Sequence, residues 1–105
     1  MVMHFNDLEV EDQVMVMLEH VIDPEIGIDI VNLGLIYEID VKEDICHILM
    51  TLTTPHCPLL DVIEADIYQN VTAIEKINQV DIEYTFEPRW TPDSMSRYAK
   101  IALGM

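Results

Sequence analysis

Positive charge is what this sequence is shortest of: five Lys and Arg stand against 20 Asp and Glu, a formal charge of −15 over 105 residues. A surface of that sign repels phosphate backbones and anionic lipid, and no basic cluster offsets it, so neither nucleic acid nor a membrane is an expected partner. Glycine is scarce as well, at three residues. There is no glycine-rich phosphate loop, no Gly-x-Ser-x-Gly elbow and no paired Glu/His motif of a metalloprotease, so a self-contained enzyme is not expected. Two cysteines, Cys46 and Cys57, make neither a disulfide framework nor the paired spacing of a zinc signature. No apolar run approaches the roughly 20 residues of a membrane-spanning helix. The N-terminal Met1–Asp7 lacks the charged leader and apolar core of a signal peptide. The expected location is the cytoplasm, where a free thiol survives.

What is present is a globular composition, half apolar, in a length that fits one domain over residues 1–105. A helix is expected from about Asp7 to Ile22. Asn6 and Glu9 form a capping-box pattern, Phe5 and Val10 a hydrophobic staple, and Val10, Val14, Met17, Leu18 and Val21 fall on one face. Asp23-Pro-Glu-Ile-Gly27 breaks it. Leu35, Tyr37, Ile39 and Val41 alternate with Glu38, Asp40 and Lys42, and across a polar turn Cys46, Ile48, Met50 and Leu52 share the face of a second strand. The two form an antiparallel hairpin. Leu59, Ile63, Ile67, Val71 and Ile74 repeat as a helix expected to run from Pro58 to about Lys76. Val80, Ile82, Tyr84 and Phe86 alternate with acidic or polar residues in a third strand, and a last helix is expected from Pro92 to Leu103, capped by Thr91 and stopped by Gly104. The fold class is α/β (α+β), in the order α-β-β-α-β-α. A small mixed three-stranded sheet carries its helices on one face, and the third strand is long enough after the second to be its parallel neighbour.

The stretch with most chemical content is Thr51-Leu-Thr-Thr-Pro-His-Cys57-Pro58. If Pro58 is the first helical residue, Cys57 is the N-cap, where unpaired N–H groups and the helix dipole favour thiolate. Thiolate is the form that binds soft metals, and His56 is placed beside it to stabilise the anion. A small apolar cap under a loop is the competing reading of Cys57. Cys46, mid-strand among apolar neighbours, reads as core. A cluster needing four thiolates would have to be completed across a dimer or by an external thiol. Asp23 and Glu25 offer two carboxylates in a constrained turn, though turn capping by Asp23 is the stronger reading. Trp90, between Pro88 and Pro92, reads as a plug at a strand end, and Arg89 is a potential partner of Asp23 or Glu25.

Three segments together resemble a known family: Asp23-Pro-Glu25 with Ile30–Tyr37 (IVNLGLIY), then Thr51–Pro58 (TLTTPHCP), then Pro88–Ser96 (PRWTPDSMS). In order and spacing they are similar to the small iron–sulfur cluster assembly domain of SufT-type maturation factors. That domain also occurs in PaaD-like proteins and at the front of Mrp-type ATPases. The chain ends at Met105 with neither the cysteine-rich tail of the former nor the ATPase domain of the latter, which favours the stand-alone SufT-type reading. The resemblance implies a reactive cysteine at Cys57, and interest in Asp23, Glu25, Thr54, His56 and Trp90. It implies iron or a transient Fe–S cluster as what is bound, shared between chains or with an external thiol. Fe–S assembly proteins and client apoproteins are the implied partners, with a homodimer as one way to supply a second thiol. The expected function is an accessory factor in Fe–S protein maturation, and the alternative is a metal-free adaptor in the same machinery.

Overall fold

The computed structural model describes residues 5–53 and 59–104. A 3-10 turn, Phe5–Asp7, precedes helix α1, Val10–Leu18. Strands β1, Ile36–Lys42, and β2, Ile45–Met50, follow, then helix α2, Leu60–Val71, strand β3, Gln79–Tyr84, a 3-10 turn at Pro92–Ser94 and helix α3, Arg97–Ala102. The order α-β-β-α-β-α is the one the periodicities predict. The sheet order is β1-β2-β3, with β1 antiparallel and β3 parallel to β2, so the sheet is mixed.

The helices cover one face. Cys46, Ile48 and Met50 of β2 are buried in the same cluster as Val14 and Leu18 of α1 and Ile63, Ile67 and Val71 of α2. Each such aliphatic side chain taken fully out of water contributes about 2 kcal/mol. The other face presents Glu38, Asp40, His47, Asp81 and Glu83 to solvent.

All three helices differ from expectation in their bounds. Helix α1 begins at Val10 with Glu9, not Asn6, at the N-cap position, and Glu9 makes no side-chain cap bond. Buried Gln13 instead donates from Nε2 to the carbonyls of Phe5 and Leu8, both at 3.2 Å, tying the preceding 3-10 turn to the helix. At the other end, His20 and Val21 make i→i+3 bonds to Met17 and Leu18, which tighten the chain out of the helix before Ile22. Helix α2 starts at Leu60 with Leu59 at its N-cap, and it stops at Val71, short of Lys76. The expected last helix is two pieces. Met95 is extended and buried between them, and Ser96 caps α3 by accepting from the Ala99 N–H at 3.2 Å.

Candidate functional site

The Asp23–Gly27 turn is built by its first residue. Asp23 is buried, and its Oδ1 accepts from the N–H groups of Glu25 (2.8 Å) and Ile26 (3.3 Å). Its own N–H donates to the Ile28 carbonyl at 3.0 Å, and its carbonyl accepts from Gly27 at 2.7 Å. A bridge between Ile22 and Asp29 closes the turn. The Asp23 carboxylate is thus engaged in holding backbone, the role an Asx turn gives it. Glu25 is exposed. The ion pairs among the described residues are Lys42–Asp40 (3.7 Å) and His47–Asp81 (3.5 Å); exposed Arg89 joins neither Asp23 nor Glu25.

Two segments that the sequence leaves 50 or more residues apart are clasped together. Trp90 is half-buried, and its Nε1–H donates to the Leu33 carbonyl at 2.6 Å. The Tyr37 hydroxyl donates to the Pro88 carbonyl at 2.7 Å. Ser96 Oγ donates to Asn32 Oδ1 at 2.6 Å while the Ser96 N–H donates to the Asn32 carbonyl at 2.8 Å. Asn32 is fixed in turn by Asp29, whose Oδ2 accepts from the Asn32 N–H (3.0 Å) and Oδ1 from Asn32 Nδ2 (2.7 Å). Between them Gly34, at φ +79°, lies so close to Ser94 that a Cβ there would collide with the Ser94 carbonyl oxygen. Asn32, Gly34 and Ser96 lie inside the motif segments, yet sequence reasoning gave them no role; Asp29 lies just outside. The available signal was the Asp29-x-x-Asn32 spacing, which suits an aspartate closing a turn.

These segments meet at one end of the sheet, where Ile36 of β1 and Tyr84 of β3 both pair with Met50 of β2. The chain leaves β2 there, with the Thr51 N–H donating to the Leu35 carbonyl at 2.9 Å. Thr51 is fully buried, and its Oγ1 has no hydrogen-bond partner among the described residues. Such an unpaired hydroxyl costs about 1–3 kcal/mol. Of the expected site residues, Thr54, His56 and Cys57 lie outside the described residues. The position of Leu59 at the α2 N-cap corrects one premise about them: neither Cys57 as cap nor Pro58 as first helical residue holds.

The other thiol is chemically quiet. Cys46 is fully buried, and desolvation, reinforced by the charges of Glu11 and Asp40, pushes its pKa up to about 11. It is neutral at physiological pH and sealed from solvent. Among the described residues, no three His, Cys, Asp or Glu side chains converge to hold a metal ion.

Residues 11–84 match the family model described as iron–sulfur cluster assembly protein. The chain is 45% identical over 96 residues to an Fe-S protein maturation auxiliary factor, YitW, from Bacillus subtilis, covering 90% of this chain and 94% of that one. It is 46% identical over 86 residues to the Fe-S protein maturation auxiliary factor SufT of Staphylococcus aureus, covering 81% and 98%. The fold is similar to the crystal structure of a domain of unknown function from Bacillus anthracis, with a TM-score of 0.86 at 39% identity over 91% of this chain and 92% of that one.

Proposed function

The chain belongs to the iron–sulfur cluster assembly protein family, and on that premise we propose that it is an accessory factor in Fe–S protein maturation, with Cys57 as the residue that handles its cargo. The cargo is iron or a labile Fe–S cluster, bound briefly as its thiolate complex and passed on without any catalytic step. One thiol cannot complete such a cluster. The remaining ligands come from a partner protein, a second copy of the chain or an external thiol. Fe–S assembly proteins and client apoproteins are the partners, and the cytoplasm is the place. No helix among the described residues is long and apolar enough to cross a membrane, which is consistent with that setting.

The observation that carries this reading is the convergence of the motif segments at one end of the sheet. Thr51–Thr53 depart from that end, and the Ile30–Tyr37 segment and the Trp90–Ser96 segment brace it through the bonds described above. Cys46 is removed from competition by burial. Trp90 supports the site as framework, and Asp23 holds its own turn.

A second reading, the metal-free adaptor, is favoured by the burial of Cys46, which leaves this chain no second accessible thiol with which to hold a cluster. Anaerobic reconstitution with iron and sulfide separates the two. Wild type is expected to take up visible absorption that Cys57→Ser lacks, with the two proteins melting at the same temperature. Equal uptake by both, or none by either in the presence of added thiol, would establish the adaptor instead.

A further inference from the structure

The sheet's uncovered face has an ordered chemistry. The register places Glu38, Leu49 and Glu83 in one row across β1, β2 and β3, and Asp40, His47 and Asp81 in the next. Four carboxylates therefore flank a central strand that carries Leu49, His47 and half-buried Ile45. The four carboxylates, His47 and Leu49 line a shallow groove of about 500 Å³, and Ile45 continues the same strand face beyond that lining.

We propose that this face is a docking surface for an amphipathic basic helix of a partner protein, lying along β2 with its apolar stripe on Leu49 and Ile45 and Lys or Arg on both shoulders. The dimensions agree. Flanks on strands β1 and β3 are two strand spacings apart, about 10 Å, which is the diameter of a helix with its side chains. Two carboxylates two residues apart on one strand are about 7 Å apart, close to the 6 Å rise between positions i and i+4 of a helix. The charge selects the occupant. Against four carboxylates the face offers Lys42, whose Nζ is 3.7 Å from Asp40, and His47, whose Nδ1 is 3.5 Å from Asp81. Both pairs are solvent-exposed and readily exchanged for a partner's cations. A second copy of the chain, itself at −15, brings the wrong sign. An added strand would pair at a sheet edge, not on this face. The proposal does not involve Cys57, so it stands or falls separately from the cargo reading.

The test uses the full chain and a synthetic amphipathic helix of about five turns, with leucines in the stripe and lysines on both shoulders. Its comparator carries glutamates in place of the lysines. Glu38→Gln, Asp40→Asn, Asp81→Asn and Glu83→Gln are combined in one variant. A control of equal net charge combines Glu19→Gln, Glu75→Gln, Glu87→Gln and Asp93→Asn, all exposed and outside the groove. Wild type and control are expected to bind the lysine helix alike, with amide shifts confined to the three strands. The face variant is expected to bind about tenfold more weakly or less. Equal weakening in both variants would overturn the proposal by reducing it to net charge. Shifts centred on α3, absence of binding by wild type, or a dimer that only the face variant loses would each overturn it too.

Discussion

The clasp and the open sheet face treat polar side chains in opposite ways. At the clasp, Asp29, Asn32, Ser96, Tyr37 and Trp90 bond to other parts of the chain at 3.0 Å or less and hold segments together. On the sheet face, Glu38, Asp40, Asp81 and Glu83 are exposed, with two loose ion pairs among the acidic residues and their neighbours. A polar group with buried partners specifies geometry, because losing one partner strands the other. A polar group in water specifies almost nothing about the fold and is free to meet another molecule. Two of the three segments that carry the resemblance, Ile30–Tyr37 and Pro88–Ser96, meet in the first region.

Breaking the clasp at its tightest point should have the largest effect. Gly34→Ala forces a Cβ into the Ser94 carbonyl at a positive φ, and a loss of about 3 kcal/mol or more is expected in urea unfolding. Gly27→Ala is the internal comparison: its φ is also positive, at +82°, but nothing lies within 4 Å, so backbone strain of about 1–2 kcal/mol is all that should appear. Asn32→Ala comes next. It removes the acceptor of Ser96 Oγ and a donor to Asp29, for an expected cost of about 2 kcal/mol. Ser96→Ala should cost less, and the double variant should fall short of the sum because the two share one network. The smallest effect belongs to the other region. Neutralising all four sheet-face carboxylates should move stability by less than about 1 kcal/mol. A loss like that of Asn32→Ala would erase the contrast between the regions.

The elements that sequence made legible are those whose signal is local. Alternation along Val80, Ile82 and Tyr84 marks β3, and the shared face of Cys46, Ile48, Met50 and Leu52 marks β2, because a strand's period survives whatever it packs against. Helix ends were less legible. The Asn6 and Glu9 pattern was displaced by Gln13, whose carboxamide reaches back to Phe5 and Leu8. The apparent helix start at Pro58 gave way to Leu59 and Leu60. The break at Met95 arises from tertiary contacts, since that side chain enters the core while Ser96 is held by Asn32. Asp23 as a turn-former and Trp90 as a plug were legible as residues, but the bond from Trp90 to Leu33 spans 57 positions and leaves no trace in local spacing.

That span has a consequence for the order in which the molecule can be completed. Asn32, Leu33 and Tyr37 acquire their partners from residues 51 to 64 positions further along. On a chain emerging from the ribosome, the hairpin and α2 can assemble from nearby sequence, since contacts close in the chain form first. The Leu33 carbonyl, the Asn32 carbonyl and side-chain oxygens and the Tyr37 hydroxyl must wait in water until Pro88–Ser96 has been made. The end of the sheet from which Thr51–Thr53 depart is therefore the last part of the domain to be locked.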